Sequence, residues 1–118
     1  MDKNEDVEIV YWCNGNKRSE VHYNCNGKEE GLRTDWYESG TKKSECKYST
    51  GRITGIANTW YESGQIEFEI PFKIGVRHGV EIKWSESGKI ESEDFYEKGS
   101  LKGKLPLNYT SKNWPTHK

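Results

Sequence analysis

Trp36-Tyr37-Glu38-Ser39-Gly40 recurs as Trp60-Tyr61-Glu62-Ser63-Gly64 and again as Trp84-Ser85-Glu86-Ser87-Gly88, each copy 24 residues after the last. An aromatic follows each copy at one offset (Tyr48, Phe72, Tyr96), and then a glycine pair, Gly51/Gly55, Gly75/Gly79 and Gly99/Gly103. An earlier, decayed copy reads Tyr11-Trp12-Cys13-Asn14-Gly15, with one extra residue between Tyr23 and Gly27. A fixed period of this length marks a chain built from stacked supersecondary units.

Each copy contains two turn signals. Glu-Ser-Gly supplies a glycine where a short hairpin loop needs positive φ, and Gly-x-x-x-Gly reads as a second, slightly longer turn. Between them lies room for strands of about seven residues, near the usual length. The unit is therefore a β-hairpin. The expected fold is all-β: a single-layer, twisted antiparallel meander of about eight strands in four hairpin repeats, 11–35, 36–59, 60–83 and 84–109. The whole chain, 1–118, reads as one domain, with flexible ends at 1–6 and 110–118.

Composition agrees. The 118 residues include one Ala and one Gln but 15 aromatics, so good helix formers are scarce and strand formers plentiful. Ile, Val, Leu and Phe make up only 20 of 118 residues, a fraction compatible with disorder, but the aromatics and a formal net charge of −1 oppose that reading. The charge balance also disfavours nucleic-acid recognition. No apolar run can span a bilayer, and the charged start, Met1-Asp2-Lys3-Asn4-Glu5-Asp6, lacks the apolar stretch of a secretory signal. Cys13, Cys25 and Cys46 leave one thiol unpaired and have no metal-ligand spacing, so a reducing cytoplasm is expected.

Counting alternate residues outward from each Glu-Ser-Gly turn assigns two faces. One receives Leu32, Thr34, Trp36 and their equivalents, together with Lys42, Ser44, Cys46 and Tyr48, Ile66 to Phe72, and Ile90 to Tyr96 by alternation. On this reading Trp36, Trp60, Trp84, Tyr48, Phe72 and Tyr96 form one structural spine. The other face, with Lys43, Glu45, Lys47, Glu67, Glu69, Glu91 and Glu93, is ionic. Pro71 removes a ladder donor and marks a bulge or strand end.

The pattern Trp-Tyr-Glu-Ser-Gly, then Tyr or Phe, then Gly-x-x-x-Gly at 24 residues resembles the variant MORN (membrane occupation and recognition nexus) repeats, over about residues 11–109. Val76-Arg77-His78-Gly79 is similar to the repeat's terminal His-Gly step. The resemblance implies an elongated, twisted all-β sheet whose motif residues are structural. It also implies a link to bacterial toxin–antitoxin antitoxins.

No catalytic site emerges. Glu38, Glu62 and Glu86 recur at every turn, whereas acid/base groups occur once in distinct environments. His22, His78 and His117 fall in unrelated contexts, and no nucleophile motif surrounds a Ser or Cys. No cofactor or metal is expected. The expected activity is recognition of a protein partner, a toxin or a defence enzyme, by a non-catalytic module that neutralises it. Trp12, Tyr37 and Tyr61 would be the anchors, with Lys43, Glu45, Glu67 and Glu69 as the polar rim, because aromatics beside charges of both signs suit an interface. A homodimer, a phospholipid headgroup-binding module and a structural element of a larger assembly are the alternative readings.

Overall fold

The computed structural model describes residues 6–105, and these form one antiparallel sheet. Its strands are β1 (Asp6–Tyr11), β2 (Lys17–Tyr23), β3 (Gly31–Trp36), β4 (Lys42–Ser49), β5 (Arg52–Trp60), β6 (Ile66–Lys73), β7 (Val76–Arg77), β8 (Gly79–Trp84), β9 (Ile90–Glu97) and β10 (Ser100–Leu105). They pair in chain order as a meander, with the short β7 and β8 sharing one side of β6. The all-β repeat architecture is as the sequence implies. Ten strands replace the expected eight because the sheet takes in β10, and because β7 and β8 are one lane broken at His78. Pro71 lies inside β6, opposite that break, where its carbonyl accepts the His78 N–H at 3.0 Å. The flexible ends expected at 1–6 and 110–118 fall outside the described residues, apart from Asp6, which opens β1.

The Glu-Ser-Gly turns are three-residue loops. Tyr37 N–H donates to Thr41 O at 2.8 Å and Gly40 N–H to Tyr37 O at 2.9 Å, with Gly40 at φ 99°. This is a type I turn followed by a glycine in the left-handed region. The other turn is tighter than the sequence reading had it. Ser49 pairs with Arg52, Lys73 with Val76 and Glu97 with Ser100, leaving two-residue loops. Thr50 and Gly51, at φ 48° and 83°, have the two positive values of a type I′ turn. The extra residue of the first copy converts this loop to the three-residue kind, closed by Asn24 N–H to Lys28 O at 2.8 Å.

The face assignment requires a correction. Residues directly opposite in an antiparallel pair share a face. Trp36 pairs with Lys42, as alternation from the turn predicts, but Asp35 pairs with Ser44 and Thr34 with Glu45. Lys43 is an extra residue, a bulge. The same bulge occurs in every hairpin, at Arg18, Glu67 and Glu91. A one-residue slip exchanges faces for every side chain beyond it. Trp36, Trp60 and Trp84 therefore share their face with Glu45, Glu69 and Glu93. Ser44, Cys46, Tyr48, Phe68, Ile70, Phe72 and Tyr96 lie on the other. The single aromatic spine is in fact two, one on each face.

The sheet has almost no conventional core. Among the described residues only Val21, Ile82, Thr34 and Glu93 are buried, and the Trp residues are half-buried. The radius of gyration, 16.3 Å, exceeds the roughly 13.5 Å of a compact chain of this length. Stability must come from ties between neighbouring strands. No helix among the described residues is long and apolar enough to cross a membrane.

Candidate interaction surface

Each repeat is tied to the next at both ends of its strands. On one side Trp12 Nε1–H donates to Trp36 O (3.1 Å), the Tyr37 hydroxyl to Trp60 O (2.6 Å) and the Tyr61 hydroxyl to Trp84 O (2.7 Å). On the other side Gly51 N–H donates to Glu29 O, Gly75 N–H to Ile53 O and Gly99 N–H to Arg77 O, all at 2.8 Å. The three aromatics singled out as anchors thus have their polar tips committed to the next repeat, which leaves only ring surface for a partner. Burial, reinforced by Glu67, Glu62 and Glu86, pushes the Tyr37 phenol above its ordinary pKa.

The bulges determine what lies beside those rings. Bulge residues share a face with Ser19, Ser44, Phe68 and Ser92, opposite to the Trp series. The Arg18 guanidinium sits 4.6 Å from the Trp12 ring centroid, and Lys43 Nζ sits 5.6 Å from that of Tyr37. Glu67 accepts a 3.3 Å hydrogen bond from Thr59, and Glu91 pairs with Lys83 at 2.8 Å. Of the rim residues expected from sequence, Lys43 and Glu67 join the three aromatics here. Glu45 and Glu69 do not; they lie on the tryptophan face.

Sequence reasoning missed two residues of this surface, Arg18 and Arg33. Together with Trp12, Asp35 and Lys43 they line a cleft of about 440 Å³ across the first two repeats. Arg33 Nε is 3.5 Å from Asp35 Oδ2, and the Ser44 hydroxyl donates to the same oxygen at 3.1 Å. The signal was present in the dipeptides at the bulges. They run Lys17-Arg18 and Lys42-Lys43 in the first two repeats, then Ile66-Glu67 and Ile90-Glu91 in the last two. At the bulges, therefore, the array is basic in its first half and carries carboxylates in its second.

The remaining candidates for chemistry are dispersed. Glu38, Glu62 and Glu86 are exposed at successive turns, and the Glu38 carbonyl accepts hydrogen bonds from Asn14 and Asn16. Cys13 and Cys25 are exposed, Cys46 is half-buried, and all three thiols are free. Among the described residues no three His, Cys, Asp or Glu side chains converge as a metal site.

The MORN repeat variant family model matches residues 29–49, 53–73 and 77–98, more than half of the chain. This chain belongs to the MORN repeat variant family. Each matched segment is one hairpin closed by Glu-Ser-Gly, and the unmatched β1–β2 hairpin is the decayed copy. Among solved structures, this MORN-repeat chain is similar to one in the crystal structure of accessory secretory protein 1,2 and 3 in Streptococcus pneumoniae. The identity is 15% and the TM-score 0.45, over 81% of this chain and 20% of that one. The chain thus spans about a fifth of the length of that structure. No curated protein matches the sequence.

Proposed function

We propose that this MORN-repeat chain is a non-catalytic module that binds a partner protein in the cytoplasm, with the cleft of the first two repeats as its anchor. The observation carrying this reading is the cleft itself. Trp12 offers ring surface, Arg18, Arg33 and Lys43 supply cations, and Asp35 and the nearby Glu67 supply the opposite charge. A recessed aromatic with charges of both signs around it gives an interface its energy and its choice of partner. The finer reading is that binding neutralises the partner, as an antitoxin or small inhibitor would, a phage-encoded inhibitor of a host defence enzyme included. A ribbon of this kind blocks an enzyme by covering the surface it lies on.

The test is affinity capture by the tagged chain beside an Arg18→Glu/Lys43→Glu variant, neither residue being part of a tie between repeats. Capture of one protein by the parent and not the variant, and inhibition of that protein by the purified chain, is the expected result. Equal capture by both chains would remove the cleft from the interface. Binding to phosphatidylserine vesicles, lost in the same variant, would replace the protein-partner reading with the headgroup-binding one.

A further inference from the structure

The middle of the tryptophan face carries one carboxylate per repeat: Glu20, Glu45, Glu69 and Glu93. Their pairings, Glu20 with Thr34, Glu45 with Asn58, Asn58 with Glu69, Glu69 with Ile82 and Ile82 with Glu93, align them in one row across the sheet. In the first two repeats a lysine completes the arrangement. Lys17 Nζ lies 2.8 Å from Glu20 and 5.6 Å from the Trp36 ring centroid. Lys42 Nζ lies 3.3 Å from Glu45 and 5.4 Å from the Trp60 ring centroid. The fold thus builds the same cation site twice, a carboxylate on one strand and a tryptophan face on the next.

In the third repeat the lysine is replaced. Ile66 stands where Lys17 and Lys42 stand, Glu69 remains, and Trp84 remains. In the fourth, Ile90 precedes Glu93, which is 1% exposed, and neither of its carboxylate oxygens has a hydrogen-bond partner. Its neighbours include Ile82 across one strand pair and Phe95 along its own strand, and its backbone pairs with Leu105 of β10 on the other side. A buried carboxylate without donors is costly, and a cation docked on the surface nearby is attracted to it through surroundings that screen little.

We propose that the Glu69–Trp84 step, with the buried Glu93 adding negative charge beside it, is a second docking site that takes a lysine or arginine side chain from a basic segment of a protein partner. The partner's cation replaces the one that the first two repeats supply from their own chain. The half-exposed Glu69 carboxylate receives the cation, while Glu93, two strands away at about 9.6 Å and buried, acts through its field rather than by contact. The proposal rests on the chain being a protein-binding module, but it occupies the opposite face and the opposite half from the cleft. The Arg18→Glu/Lys43→Glu variant leaves it untouched, so the two readings fail separately.

The probe is the blocked peptide acetyl-Thr-Lys-Thr-amide, titrated into the isotope-labelled chain and followed by nuclear magnetic resonance. Saturable shifts at Glu69 and the Trp84 indole are expected, with at least fivefold weaker binding to Glu69→Gln. Ile66→Lys should restore the internal pair and abolish the shifts. The half-exposed Glu69 and Ile66 keep the test decisive even if a Glu93→Gln variant fails to fold. Equal binding by Glu69→Gln and Ile66→Lys, or shifts centred on Glu20 and Glu45, would overturn the proposal.

Discussion

The Tyr37 hydroxyl donates a 2.6 Å hydrogen bond to the carbonyl of Trp60, 23 residues on, so the aromatic just after one strand fastens the last residue of the equivalent strand in the next repeat. Tyr61 does the same to Trp84. In the fourth copy this position is Ser85, whose hydroxyl lies instead 2.8 Å from that of Ser87 within its own turn.

Tyr37→Phe keeps the ring and removes only this bond. It should cost about 0.5–1.5 kcal/mol, the usual net worth of one hydrogen bond, in urea unfolding. Tyr61→Phe should cost a similar amount. An unchanged midpoint in both variants would show that water replaces the phenol without loss.

Ile74 occupies the first position of a type I′ turn at φ 48° and is 61% exposed. A β-branched residue is strained there, and asparagine followed by glycine is the preferred pair. Ile74→Asn should raise the melting temperature by a few degrees. Thermal denaturation giving a lower value would mean that the Ile74 side chain contributes more than its strain costs.

Gly79 has φ +123°, and a Cβ there would lie 2.9 Å from Pro71 Cγ. Gly55, the equivalent residue one repeat earlier, has φ +75° and open space around it. Gly79→Ala should therefore destabilise more than Gly55→Ala, by about 1–3 kcal/mol for the added strain. Equal losses would show that the backbone conformation alone sets the cost.

Burial raises the Glu93 pKa above its ordinary value, while hydrogen bonds from Lys17 and His22 lower that of Glu20. The two act in opposite senses. The folded state binds the Glu93 proton more tightly than the unfolded state, so this residue removes stability as pH rises from the ordinary carboxylate value through the raised one. Glu20 adds stability above its ordinary value and loses it as pH falls through the lowered one. Glu93→Gln should raise the melting temperature at pH 7 and change it little at pH 4. A gain independent of pH would place the effect in packing rather than charge.

Much of the architecture was legible in the chain. The 24-residue period, the glycine turns and the strands between them all follow from Trp-Tyr-Glu-Ser-Gly and its copies. The faces were not legible, because a bulge leaves alternation intact on each strand and changes only how two strands are matched. Lys17-x-x-Glu20 and Lys42-x-x-Glu45 carried a trace of it: an odd separation would place the two on opposite faces of a regular strand, yet they form ion pairs. For the candidate site, the same slip explains why Lys43 and Glu67 join Tyr37 and Tyr61 while Glu45 and Glu69 do not. The Trp12 and Tyr37 ties were hidden for another reason, since nothing local marks a side chain that bonds a backbone carbonyl more than twenty residues away.

The ties between repeats span only 22 to 24 residues, from Gly51 to Glu29 or from Trp12 to Trp36. Most all-β chains join strands that are distant in sequence, and they fold slowly because long loops must close first. Here every strand's partners are its neighbours in the chain, so the loop to be closed never grows. Each hairpin can form against the one before it while the rest of the polypeptide is still leaving the ribosome. Damage to one repeat then spreads to its two neighbours rather than to a shared interior.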